Sequence, residues 1–219
     1  MKSLPVLAGV VLLLLLWSVP LAGAKEAEFI GVPGCTSKCH KKADEGDQRA
    51  AWEKSKHAKA FENLGTQEAK DRAKKVGVTT DPQKSEACLI CHTTGFGLEA
   101  NRFGAKFKAS NGVQCESCHG AGGDYSKKKT MLQITRERGL DGKTESATAK
   151  KMGLIFPDEN TCKTCHAPEI TFKGKTYKNP SFEEFDFKKQ HEEIKHPVPE
   201  ARKKKVLAGG SSDEGGDDE

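Results

Sequence analysis

The chain has 219 residues, of which 35% are hydrophobic, 6% aromatic and 31% charged, so the peptide alone is poorly supplied for a conventional apolar core. Its length fits one principal domain with short extensions. A formal charge of +5 and no apolar stretch beyond the N-terminus argue against a dedicated nucleic-acid binder and against a multi-span membrane protein.

In chain order, Lys2 precedes an almost wholly apolar run from Leu4 to Val19, and Ala22-Gly23-Ala24 supplies small residues for cleavage. Residues 1–24 therefore read as a cleaved signal peptide, the run being short for a membrane anchor. No cysteine lies at the cut, which argues against a lipoprotein anchor. The expected home of the mature chain is the periplasm, with the cell surface as the alternative and no stable membrane insertion.

All eight cysteines fall in four units that end in Cys-His. They are Cys35-Thr36-Ser37-Lys38-Cys39-His40, Cys88-Leu89-Ile90-Cys91-His92, Cys115-Glu116-Ser117-Cys118-His119 and Cys162-Lys163-Thr164-Cys165-His166. The last three have the C-x-x-C-H attachment spacing of c-type haem, and the first is the same unit stretched by one residue. Two thiols form thioether bonds to the porphyrin edge, and the next histidine is held where its imidazole meets the iron. Zinc sites assemble four ligands without needing a histidine after each pair. A disulfide framework explains the even cysteine count but not the histidines. Thioredoxin-like chemistry needs one such pair, not four. The sequence thus predicts four c-type haems, with Cys35, Cys39, Cys88, Cys91, Cys115, Cys118, Cys162 and Cys165 as attachment points and His40, His92, His119 and His166 as proximal iron ligands.

Between these units the pattern is helical. Residues 41–64 carry Ala43, Ala50, Trp52, Ala58, Phe61 and Leu64 among charges, which predicts a helix bearing His57. A second helix is expected over Thr66–Val76, ending at Gly77, then a turn over Thr79–Glu86. Thr93 to Gly97 and Asn111-Gly112 read as loop and turn. One or two helices are expected over 127–153, interrupted at Gly139 to Gly142, and a last one from Ser181 to about Lys195, stopped by Pro197. Strand signals are scarce. The runs Arg202–Lys205 and Lys127–Lys129 read as solvated surface, and residues 206–219 as a flexible acidic tail. The expected fold is mainly α with much irregular loop, a tetrahaem domain over 25–205 wrapped around its cofactors, which become its core.

Loss of Lys2 lowers the formal charge to +4, and ionised propionates bring the ferric holoprotein to about zero. The basic residues are partly counter-charges for those propionates.

Histidine count limits the ligand set. Of seven histidines four are proximal, leaving His57, His191 and His196 for four irons. At least one iron has to take another ligand or stay open. His57 and His196 are the candidate distal ligands, His191 reads as surface, and Met131 is the methionine nearest a haem segment, with core packing as its alternative use.

These residues carry a resemblance to the tetrahaem cytochrome c-554 family. It rests on His57-Ala58-Lys59-Ala60 after the first unit, Gly95-Phe96-Gly97 after the second, Gly112 to Gly120 around the third, and Phe185-Asp186 ahead of His196. The resemblance implies a helical, haem-wrapped fold with stacked haem pairs, distal ligation at His57 and His196, and a five-coordinate second haem on His92. The family's distal histidine soon after the third unit is missing here, since no histidine lies between His119 and His166. The expected function is single-electron transfer between a redox protein donor and acceptor. The alternatives are reduction or binding of nitric oxide at an open haem, and a place in an extracellular conductive assembly. The sequence leaves the oligomeric state open.

Overall fold

The computed structural model of the chain describes residues 26–37 and 40–209. The expected signal peptide over 1–24, Cys39, and residues 210–219 of the expected tail lie outside the described residues.

Short helices joined by ordered loops dominate. Helix α1 (Gly31–Thr36) carries the first cysteine. The long helix expected over 41–64 is instead a 3₁₀ turn (Ala43–Glu45), α2 (Gln48–Lys54) and α3 (Ala60–Asn63). Two local features cut it. Gly46 and Asp47 take left-handed φ values of 105° and 40°, and the Asp47 carboxylate accepts the Ala50 amide to cap α2. Ser55 then turns extended, and its hydroxyl donates to Trp52 O at 2.7 Å. His57 therefore lies in a turn rather than on a helix.

Helix α4 (Gln67–Lys75) follows the expected course, capped by Thr66 and closed by Gly77. Helices α5 (Glu86–His92) and α6 (Cys115–His119) carry the second and third Cys-His units. The region 127–153 forms α7 (Lys128–Arg138) and α8 (Ala147–Met152), divided at Gly139 as expected. These two helices pack around Tyr125, Ile134 and Ala149, with Met131, Met152 and Leu154 against that cluster. Helix α9 (Glu159–Lys163) opens the fourth unit, and a reciprocal Asp158–Thr161 capping box starts it.

The sequence reading missed a hairpin. Strands β1 (Glu169–Phe172) and β2 (Lys175–Lys178) pair antiparallel, with Ile170 opposite Tyr177 and Phe172 opposite Lys175. The turn is Lys173-Gly174, both in the left-handed region that a two-residue hairpin requires. Helix α10 (Phe187–Ile194) starts later than Ser181, because Asp186 accepts the Lys189 amide and sets the cap there. A final helix, α11 (Glu200–Leu207), forms where the sequence shows only a basic run. It packs on α7 and buries Val206 and Arg202, so ordered structure reaches past residue 205.

Buried hydrophobic side chains among the described residues are few: Val32, Leu64, Ala73, Tyr125, Ile134, Ala149 and Val206. No helix of the described residues is long and apolar enough to cross a membrane.

Candidate haem sites

The loops bring the four Cys-His units together in a definite order. Helices α1 and α6 pack on one another, and the Cys35 thiol is hydrogen-bonded to Cys115, which together with burial pushes it far up. The Cys91 thiol bonds Cys165 in the same way, and that contact lowers Cys165 to about 7. Cys118, raised to about 11 chiefly by burial, also feels Cys162 and Cys165. The first unit thus adjoins the third, the third the fourth, and the fourth the second.

Two histidine pairs face each other across these units. His57 and His166 have ring centroids 6.0 Å apart with planes at 71°, and His119 and His196 lie 6.1 Å apart at 76°. Metal–imidazole bonds of about 2 Å on each side of one ion put two ring centroids about 6 Å apart. Each pair therefore has the spacing of two axial ligands of one iron. Among the described residues no histidine ring pairs in this way with His40 or His92, and His191 instead lies against Phe187, with ring centroids 5.2 Å apart and planes tilted by 30°.

The second ring nitrogen of most of these histidines is already tied. Nδ1 of His92 bonds Ala60 O at 2.8 Å, that of His119 bonds Ile155 O at 2.9 Å, and that of His196 bonds Ile194 O at 2.8 Å. His40 Nδ1 bonds the side-chain carbonyl of Gln48 at 2.9 Å. An acceptor at Nδ1 holds the proton there and leaves the Nε2 lone pair free for a metal. His166 is braced differently, stacked on Phe185 at 4.9 Å. Burial lowers the pKa of His57, His119 and His166, favouring the neutral imidazole that a metal needs.

The His57 turn is held against the third unit by backbone. Val113 N donates to His57 O at 3.1 Å, and Trp52 Nε1 donates to Val113 O at 2.8 Å. Glu116, inside the third unit, accepts amides from Ile30, Gly31 and Gly122 at 2.7–2.8 Å and fastens α1 beside it. Met131 lies in the α7–α8 cluster next to Tyr125, and Tyr125 in turn feels Cys35 and Cys115.

The donor set suits c-type haem. Seven described cysteines are free thiols, and no three His, Cys, Asp or Glu side chains among the described residues converge as a single-ion site would require. Arg202 is 8% exposed and its Nη1 is buried with no protein partner, as is Nε of Arg102. Buried donors of that kind call for anionic acceptors, which haem propionates provide. Sequence reasoning missed Gln48, Glu116 and Arg202. Gln48 and Arg202 belong to no spacing pattern, Glu116 fills a variable position of the third unit, and the partners of Glu116 at Ile30 and Gly31 and of Arg202 at Glu45 are distant in sequence.

A family model described as cytochrome c554 and c-prime matches residues 35–120. Cytochrome c-554 of Nitrosomonas europaea is 32% identical over 163 residues, which are 71% of this chain and 63% of that protein. The chain thus spans less than two thirds of that relative's length. Among solved structures, the reduced state of cytochrome c554 from Nitrosomonas europaea superposes with a TM-score of 0.54 at 24% identity, covering 85% of this chain and 99% of that one. The mainly helical multihaem fold is common to both.

Proposed function

We propose that this chain, which is similar to cytochrome c-554 in sequence and shares its fold, is an exported, periplasmic tetrahaem cytochrome passing single electrons between a redox protein donor and acceptor. Bound haem supplies the one-electron iron couple, and the polypeptide sets its ligands, spacing and dielectric. His40, His92, His119 and His166 hold the irons on the proximal side, and the paired cysteines fix the rings. His196 completes the third site opposite His119, and His57 completes the fourth opposite His166. Bis-histidine ligation keeps potentials low relative to His/Met, so these two sites differ in potential from the others.

The observation that carries this reading is the pair of facing imidazoles at 6.0 and 6.1 Å. The cysteine contacts support an order of first, third, fourth, second, with the two bis-histidine sites in the middle. A purified holoprotein should bind four haems and give two bis-histidine low-spin signals in electron paramagnetic resonance. His57→Gly and His196→Gly should each remove one of them while four haems stay bound. Loss of neither signal overturns the ligand assignment, and fewer than four haems overturns the tetrahaem reading.

A second reading is favoured at one site. Among the described residues no histidine ring faces His92, and an iron left open there would bind nitric oxide, seen as a spectral shift confined to one centre. Among the described residues no histidine ring faces His40 either, and Met131 is the candidate sulfur ligand for that site.

A further inference from the structure

The acceptors that tie Nδ1 divide the anchored histidines. His92, His119 and His196 use backbone carbonyls, whereas His40 uses the side chain of Gln48. The orientation of that amide is decided by its other end. Gln48 Nε2 lies 2.7 Å from Glu45 O, a carbonyl that can only accept, so the nitrogen faces Glu45 and the oxygen faces the ring. His40 must therefore donate from Nδ1, which leaves its Nε2 lone pair toward the iron.

Glu45 is fixed in its turn. Its carboxylate takes Arg202 Nε at 2.7 Å, with side-chain exposures of 10% and 7%, so the pair is buried. A buried pair of this kind breaks at high cost when one member is removed. Between them the chain turns at Gly46, where a Cβ would lie 2.6 Å from Gln48 Nε2 and 2.8 Å from Pro197 O. The segment that follows His196 thus closes on the loop that orients His40. The third site's distal ligand and the first site's proximal ligand share one strap, residues 196–202.

We infer that Gln48 is a positioning residue for the first haem iron, fixing the tautomer and basicity of His40 through a chain of contacts that ends at Arg202 in α11. This inference rests on the proposed ligation of that iron by His40. A carbonyl acceptor at Nδ1 raises the electron donation of Nε2, a carboxylate raises it further, and an apolar side chain removes it. More donation stabilises the ferric state and lowers the potential.

The test is a spectroelectrochemical titration of the holoprotein with Gln48→Glu and Gln48→Leu, alongside a haem count. One of the four midpoints should fall in Gln48→Glu and rise in Gln48→Leu, the other three staying in place. His40→Met, which exchanges the ligand itself, should move that same midpoint. Four bound haems with no opposed shift overturn the role of Gln48, as does a His40→Met shift at a different centre. A wild-type chain with fewer than four haems instead overturns the cofactor reading on which the inference stands.

Discussion

Glu116 is 2% exposed and sits between the two cysteines of the third unit, where it accepts three main-chain amides. Those donors belong to Ile30 and Gly31 at the entry to α1 and to Gly122 beyond α6, so one carboxylate fastens the first unit to the third. Removing it strands buried N–H groups at about 1–3 kcal/mol each, and Glu116→Ala should cost about 3 kcal/mol or more. Burial nevertheless outweighs the amide donations and holds the Glu116 carboxyl above its ordinary value. For a group whose folded pKa is raised, the stabilising contribution is complete below the unfolded value of 4.5 and falls away as pH rises through the folded value. Thermal melts of the holoprotein from acid to neutral pH should therefore lose part of this slope in Glu116→Gln. An unchanged slope would mean that Glu116 does not titrate in that window.

At the scale of elements, the β1–β2 hairpin covers the segment after the second unit. Phe172 meets Phe96 at 5.8 Å between centroids, Lys173 Nζ donates to Gly97 O at 2.8 Å, and Tyr177 donates to Glu86 at the start of α5. Gly97 has a φ of +79°, and a Cβ there would sit 2.6 Å from Phe172 Cζ. Gly97→Ala adds about 1–2 kcal/mol of left-handed strain to that clash. Its melting temperature should drop by about 4–8 °C with haem content unchanged, and a drop of under a degree would show the hairpin to be loosely seated. The hairpin also marks where sequence reasoning stops. Gly77 and Gly139 announce helix ends locally, and α4 and α7 follow them. The break at Ser55 was hidden because the helical spacing of Trp52, Ala58 and Phe61 persists through a turn. Ile170, Phe172 and Tyr177 alternate as strand residues do, but four-residue strands are too short for the pattern to stand out. The Cys-His units carry their chemistry in contiguous residues. The partners of His57 and His196 depend on folding over more than a hundred and over seventy residues, which no spacing encodes.

The whole molecule raises the question of what fills it. Its buried apolar side chains among the described residues are seven, two of them alanines, in a domain long enough to need a far larger apolar interior. Large apolar side chains such as Ile155, Phe156, Leu98 and Phe182 remain 40–48% exposed. The buried polar set includes Gln114, Thr94 and Glu116, which join loops to one another and supply little hydrophobic gain. Since ordering each residue costs on the order of 1–2 kcal/mol, so little burial leaves folding unfavourable without a further apolar body. Under the proposed function, four porphyrins held by the Cys-His units would be that body. A chain with all eight cysteines replaced by serine, produced in the same way, should therefore lack a cooperative thermal transition, give weak near-ultraviolet dichroism and be cut rapidly by protease. The haem-loaded chain should melt as a unit and resist the same protease. A sharp, reversible transition in the serine variant would mean that the polypeptide builds its own interior and that the cofactors are guests rather than the core.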